Sequence, residues 1–220
     1  MRKLFQLVIG CFSSVVALAQ AATTPFWNEI QSFRREDSLQ TPPKRAIVFT
    51  GSSSFKNWTD VQDYFPGYPI INRGFGGSTF PDVIRYADDV IFKYNPKQVV
   101  IYCGDNDLAS SDTVSAQTVF RRFESLFTLI RSRLPKTSVV FVCIKPSPAR
   151  LHLMPKMEEA NALIRNFLKQ HQRTAYVDVR RPMLQANGRP KPELFRDDSL
   201  HMNATGYQIW QQQLKPVLLK

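Results

Sequence analysis

The chain has few of the side chains from which metal and disulfide sites are built. Its 220 residues include three cysteines and three histidines. The histidines are scattered with no second ligand at metal spacing, which argues against a metal-dependent hydrolase. Zinc-finger spacings, RNA-binding signatures and basic-zipper patterns are also missing, so nucleic acid is not predicted as a partner.

Acidic residues are scarce relative to basic ones. The sequence has 18 Asp and Glu against 29 Lys and Arg, a formal net charge of +11. Because the basic residues are scattered rather than gathered in one tract, a solvated basic surface is the simpler interpretation. Electrostatic contact with an anionic envelope surface is the alternative that this charge leaves open.

A hydrophobic run that could serve targeting lies at the N-terminus. Arg2 and Lys3 precede an apolar stretch over 4–19, with small-residue cleavage sites at its end. This pattern predicts a signal peptide, residues 1–21, because the run is too short and wrongly flanked for a membrane span. We therefore expect an exported protein, periplasmic or secreted, whose single domain is 22–220 and keeps a net charge of +9.

The cysteines support two further interpretations. Cys11 closes a segment, 8–11, that resembles a lipoprotein cleavage box, but the apolar stretch before it is short, so lipid anchoring ranks second. Cys103 and Cys143 end apolar strand-like runs, where a free buried thiol is the usual case. Export leaves a disulfide between them possible.

Apolar strand-like runs alternate with helical patterns along the whole domain. This order predicts a three-layer α/β/α domain on a five-stranded parallel sheet, with ligands at the carboxyl ends of the strands. The predicted strands are 47–50, 68–75, 97–103, 138–144 and 174–179. The predicted helices include one opened by Thr24, one after a Thr79–Asp82 capping box, one over 113–134 and one that begins near Asn203.

Two segments carry the residue types of serine catalysis. Gly51 ends the first strand and is followed by three serines, a turn that can present a hydroxyl at a helix entry. Asp198 stands three residues before His201, so one turn can supply a base and the carboxylate that orients it. Taken singly, each segment is more often a plain turn or a helix cap.

A tetrahedral intermediate also needs hydrogen-bond donors for its oxyanion. Backbone N–H groups at Ser53 and Gly77 and the side-chain amide of Asn106 follow the ends of predicted strands. Taken singly, Gly77 is a turn glycine and Asn106 a loop-capping amide.

Together, the segments resemble the SGNH (GDSL-type) hydrolase superfamily of esterases and lipases, whereas the G-x-S-x-G of α/β-hydrolases does not occur. The matching segments are Gly51-Ser52-Ser53, 72–78, 104–107 and Asp198-x-x-His201. The resemblance covers about residues 45–215 and implies the strand order 2-1-3-4-5 and no cofactor. It assigns Ser53 as nucleophile, Asp198 and His201 as its triad partners, and Ser53, Gly77 and Asn106 as the oxyanion hole.

One departure from the family pattern bears on the site. The family usually has Gly-Asp-Ser, and Ser52 stands here in place of the aspartate. Ser52 and Ser54 are therefore rival nucleophiles, and Ser53 is favoured because it lies two residues after Gly51.

The resulting hypothesis is an exported serine esterase that cleaves carboxylic esters of small molecules, glycans or lipids, with short acyl or acetyl groups favoured because no long apolar lid is evident. Lysophospholipid or thioester hydrolysis is the alternative within this class. A non-catalytic, basic envelope-binding module is the alternative outside it. In the proline-rich loop, Lys145, Arg150 and His152 could contact substrate, although a purely structural loop is the simpler interpretation.

Overall fold

The computed structural model describes residues 24–220. Two compact units divide the chain, one ending at Gln40 and one comprising Thr41–Lys220. The predicted signal peptide and Cys11 lie outside the described residues. The first unit contains helix α1, Trp27–Leu39. Its predicted start at Thr24 was wrong, because Phe26 takes a left-handed φ of 63° and the Trp27 N–H donates to the Thr24 carbonyl in a preceding turn.

Five parallel strands form the sheet of the second unit. They run in the order β2-β1-β3-β4-β5, which confirms the predicted class and order. Since all five point the same way, their carboxyl ends share one edge of the sheet. The strands are β1 (Ile47–Gly51), β2 (Ile70–Gly74), β3 (Gln98–Tyr102), β4 (Ser138–Val142) and β5 (Thr174–Val177).

Helices and short turns connect the strands. The α-helices are α2 (Ser53–Lys56), α3 (Val61–Tyr64), α4 (Phe80–Arg85), α5 (Ala87–Val90), α6 (Asp105–Ala109), α7 (Ala116–Arg133), α8 (Met154–Lys169) and α9 (Ala204–Leu214). The 3₁₀ turns are Phe92–Tyr94, Pro148–Leu153, Arg181–Met183, Pro192–Leu194 and Lys215–Val217. Within residues 24–220, no helix combines the length and apolar character that a membrane crossing requires.

Two predicted helix starts are confirmed. Thr79 caps α4, and its backbone N–H and hydroxyl donate to the Asp82 carboxylate at 2.9 and 2.6 Å. Asn203 caps α9 and accepts the Gly206 N–H at 3.1 Å. Two short helices follow Thr79, because Tyr86 leaves helical geometry and separates α4 from α5.

Side chains from the two faces of the sheet build two core layers. On one face, Phe49 and Tyr102 pack with Trp58 and Trp210, all completely buried. On the other face, the Phe141 ring lies 5.1 Å from that of Phe123 on α7. Helices therefore cover both faces, as in the predicted three-layer sandwich.

The two cysteines of the described residues are free and buried. Burial raises the pKa of the Cys143 thiol to about 12 and that of Cys103 well above its ordinary value. Both thiols are therefore protonated at neutral pH and act as small apolar side chains.

Asn72 joins β2 to the short helix that follows β1. Its Nδ2 donates to the carbonyls of Phe55 and Trp58 at 2.7 and 3.2 Å. Its Oδ1 accepts the Gly74 N–H at 3.0 Å. All three partners are backbone groups, so this one side chain fixes how α2 sits on the edge of the sheet.

Asn72→Ala is expected to lower the free energy of unfolding by about 1–3 kcal/mol, because it leaves these backbone groups without their partner. Chemical denaturation measures the change. Asn166→Ala, which alters an exposed residue of α8, is the matched control and should change stability by less than about 0.5 kcal/mol. Equal stability of the two variants would contradict the role given to Asn72.

Candidate active site

A tight turn at the end of β1 presents the serines. Gly51 has a φ of 127°, and a Cβ atom added there would lie 1.9 Å from the Tyr102 carbonyl oxygen. The Ser52 N–H donates to that same carbonyl at 2.9 Å. Only glycine fits this close approach to β3. The chain then enters α2, of which Ser53 is the first residue.

Ser53, His201 and Asp198 form one chain of hydrogen bonds. The Ser53 Oγ lies 2.9 Å from His201 Nε2, and His201 Nδ1 lies 2.6 Å from Asp198 Oδ2. The imidazole side chain is 24% exposed and the carboxylate 47% exposed. A histidine in this position can take a proton from the serine hydroxyl while the carboxylate holds its ring.

The two rival nucleophiles, Ser52 and Ser54, are both buried. Ser52 is completely buried and occupies the N-cap position of α2. Ser54 is 2% exposed, and its carbonyl accepts the Tyr207 hydroxyl at 2.9 Å. Of the three serines, Ser53 is the one whose hydroxyl contacts the imidazole of His201.

Asp198 also organises the backbone that carries His201. Its Oδ1 accepts the N–H groups of Leu200 and His201 at 2.9 and 2.8 Å. Although desolvation acts to raise the pKa of Asp198, the hydrogen bonds from the His201 ring and from these two N–H groups outweigh it and lower that pKa. An ionised Asp198 makes His201 Nδ1 the donor, and we assign Nε2 as the acceptor of the Ser53 hydroxyl.

Gly77 and Asn106, two of the predicted oxyanion donors, follow the ends of β2 and β3, and the third, the Ser53 N–H, lies at the start of α2. Gly77 is exposed with a φ of 72°. Asn106, in α6, donates from Nδ2 to the Ser78 carbonyl at 3.2 Å, which ties its loop to the segment that contains Gly77. Since a side-chain amide has two N–H groups, one remains for a ligand. The Arg150 guanidinium donates to Asn106 Oδ1 at 3.5 Å and supports this amide orientation.

Lys145 and Arg150, in the proline-rich loop, contact backbone groups of the site loops. Lys145 Nζ donates to the Leu200 carbonyl at 2.8 Å, and Arg150 donates to the Asp105 carbonyl at 3.2 Å. These contacts favour the structural interpretation of the loop. His152 is exposed, and its contact with substrate stays a prediction.

Asp107 has a structural role that sequence reasoning missed. It is buried and accepts the Phe80 N–H at 3.1 Å and the Arg122 guanidinium at 2.8 Å. Desolvation raises the pKa of its carboxyl, against the lowering effects of Arg122 and of the Phe80 N–H. Asp107 therefore joins the starts of α4 and α6 to α7. The sequence feature that could have indicated this role is the position of Asp107 directly after Asn106.

Among residues 24–220, the His, Cys, Asp and Glu side chains form no group of three or more that could hold a metal ion. Activity without a metal or cofactor stays a prediction.

Comparisons with known proteins bear on the family and on the fold. The model of the GDSL-like Lipase/Acylhydrolase family matches residues 37–209. A search of curated proteins found no match. A solved structure of a candidate platelet activating factor from Streptococcus pneumonia is 20% identical, with a TM-score of 0.77, covering 94% of this chain and 99% of its own.

Two further structures share the fold at low identity. A GDSL-like lipase from Bacteroides thetaiotaomicron is 22% identical with a TM-score of 0.73, covering 85% of this chain and 95% of its own. A catalytic mutant of an acetylxylan esterase from Geobacillus stearothermophilus is 13% identical with a TM-score of 0.63, covering 82% and 98%.

Proposed function

Because the chain belongs to the GDSL-like lipase/acylhydrolase family, we propose that it hydrolyses carboxylic esters through an acyl-enzyme on Ser53. The observation that carries the proposal is the hydrogen-bonded series from Ser53 Oγ through His201 to Asp198. Such a series supplies a nucleophile, a base and an orienting carboxylate, which are the parts that acyl transfer requires.

The reaction has two halves. In the first, Ser53 Oγ attacks the ester carbonyl as its proton passes to His201 Nε2, and the ionised Asp198 stabilises the imidazolium. The tetrahedral intermediate collapses, the ester C–O bond breaks and the alcohol leaves with the proton from His201. In the second, water gives a proton to His201 and attacks the acyl-enzyme, which releases the carboxylic acid and restores Ser53.

The negative oxygen of the intermediate would be held by the backbone N–H groups of Ser53 and Gly77 and by Asn106 Nδ2. The left-handed backbone at Gly77 and the bond from Asn106 to Ser78 support these roles. Donors that are fixed before the reaction stabilise the developing charge without reorganising.

Asn106→Ala is expected to lower kcat about 100- to 1,000-fold, because it removes one oxyanion donor. Steady-state kinetics on a p-nitrophenyl ester measures the change. Ser110→Ala is a matched control, because Ser110 is an exposed residue that follows α6 and its hydroxyl donates to the Asp107 carbonyl at 2.7 Å. A kcat for Asn106→Ala within a few-fold of wild type would contradict the assignment.

Short acyl or acetyl esters are the proposed substrates. Support comes from the fold that the chain shares with an acetylxylan esterase. The lipase-like relative supports the second candidate, a lysophospholipid or thioester acylhydrolase.

A panel of p-nitrophenyl esters from acetate to laurate, with acetylated xylo-oligosaccharides and a lysophospholipid, tests the proposal. We expect kcat/KM to be highest for acetate and to fall with chain length. A maximum at long chains would favour the lipid acylhydrolase. Absence of turnover on every ester by the folded protein would contradict the enzyme and favour the basic binding module.

We also propose that residues 1–21 direct export to the periplasm or the medium. The charged start and apolar run of the sequence support this proposal. N-terminal sequencing of the protein purified from its own cells tests it: a start near residue 22 is expected, and a lipid-modified Cys11 would favour anchoring instead.

A further inference from the structure

Lys145 is a buried lysine that points at the loop carrying His201. It lies just beyond the carboxyl end of β4 and is 1% exposed. Its Nζ donates to the Leu200 carbonyl at 2.8 Å and lies 5.5 Å from the centre of the Phe195 ring. Phe195 and Met202 pair across the same loop, so Lys145 contacts this loop at two points.

The peptide unit between Leu200 and His201 is held at both ends. Its carbonyl accepts from Lys145 Nζ at 2.8 Å, and its N–H donates to Asp198 Oδ1 at 2.8 Å. The neighbouring Ser199 carbonyl accepts the Ala149 N–H at 3.1 Å. The orientation of this peptide sets where the His201 side chain begins, and His201 Nε2 lies 2.9 Å from Ser53 Oγ.

Burial of the Lys145 ammonium removes it from water and so destabilises the folded protein. Among residues 24–220, no carboxylate lies within ion-pair distance of Lys145 Nζ. Burial lowers the pKa of Lys145 to about 8, with the carboxylates of Asp105 and Asp198 opposing the shift and Arg150 adding to it. An apolar side chain of similar size would fill the space without this desolvation. A lysine here therefore indicates a role that needs its donor.

We propose that Lys145 is a positioning residue, which holds the Leu200–His201 peptide in the orientation from which the imidazole reaches Ser53. This inference rests on the proposed function, since it assigns His201 as the base. Lys145 itself touches neither Ser53 nor the imidazole and has no part in the chemical steps.

Lys145→Met tests the proposal, because methionine keeps an unbranched apolar chain and removes the donor. We expect kcat to fall about 10- to 100-fold with KM unchanged, since a small displacement of the base weakens only the transition state. The rate of labelling by a fluorophosphonate should fall in parallel. Because the pKa of Lys145 is lowered in the folded state, burial of its charge destabilises the fold increasingly as the pH falls from 10.5 to about 8, and fully below that. Loss of this charge offsets loss of the hydrogen bond to Leu200, so stability at pH 7 should be preserved.

Lys156→Met is the matched control. Lys156 Nζ also donates to backbone carbonyls, those of Asp112 and Val114 at 2.8 and 3.2 Å, in a different loop. It should keep kcat within about twofold of wild type. A kcat within twofold of wild type for Lys145→Met, or equal losses in both variants, would overturn the proposal.

Lys145→Leu, which also removes the donor, carries the test if Lys145→Met does not fold. The same fall in kcat at constant KM is expected for this variant, and an unchanged kcat would overturn the proposal. If wild type hydrolyses esters through Ser53 and the Lys145 variants are equally fast, the role of Lys145 is overturned but the proposed function is not. A wild type that hydrolyses no ester would overturn both this role and the proposed function.

Discussion

Ser53→Ala is expected to reduce kcat for ester hydrolysis by about 10⁴- to 10⁶-fold, the range seen when a serine nucleophile is removed. The reason is that no other hydroxyl contacts His201 Nε2 within residues 24–220, so no neighbour can replace it. The variant should unfold at the same temperature as wild type, since Ser53 is only half-buried. Steady-state assays at high enzyme concentration measure the residual turnover of the variant.

Ser54→Ala is the matched control for this prediction. Ser54 is the next residue of α2 and is buried away from the imidazole. It should keep kcat within about tenfold of wild type. Full activity of Ser53→Ala together with an inactive Ser54→Ala or Ser52→Ala would show that the nucleophile had been misassigned.

Asp198→Asn is expected to lower kcat by about 10³- to 10⁴-fold. An asparagine amide cannot stabilise the imidazolium by charge, and it permits the His201 tautomer that cannot accept the Ser53 proton. Asp197→Asn is the matched control, because Asp197 is the exposed neighbour in the same loop, and it should change kcat by less than about twofold. Similar losses in both variants would contradict the role of Asp198.

The lowered pKa of Asp198 also gives this residue a defined pH dependence. Its contribution to folding stability should be fully present above the unfolded value of about 4 and be lost as the pH falls through the lower folded value. Thermal melts of wild type and Asp198→Asn should therefore differ by a constant amount from about pH 5 to 7 and converge in stronger acid. A difference in melting temperature that grew as the pH fell would contradict a lowered pKa for Asp198.

The sequence predicted the class of fold well because strand and helix patterns are local. The ends of the strands were less predictable. Residues 143–144 continue the apolar run of β4, yet the strand ends at Val142. The reason is a distant residue: the Asn161 amide on α8 bonds both the N–H and the carbonyl of Ile144 at 2.8 and 3.0 Å. No local pattern reveals such a partner.

Some residues of the site were identifiable from the sequence, and others were not. Ser53, Asp198 and His201 stand in short motifs, so the resemblance to a known family singles them out from the sequence alone. Asn72 and Lys145 act on backbone groups far along the chain, Asn72 on Phe55 and Lys145 on Leu200. Asn72 opens the matching segment 72–78 and Lys145 lies in the proline-rich loop, but nothing in their spacing indicates which backbone groups they contact. Their roles depend on loops that only the folded chain brings together.

Covalent labelling of the native protein with a fluorophosphonate, followed by peptide mapping, tests the nucleophile and its activation together. We predict one equivalent of label on Ser53, and strongly reduced labelling in Asp198→Asn and after denaturation. Label on a different residue, or no label on folded protein that still hydrolyses esters, would contradict the account.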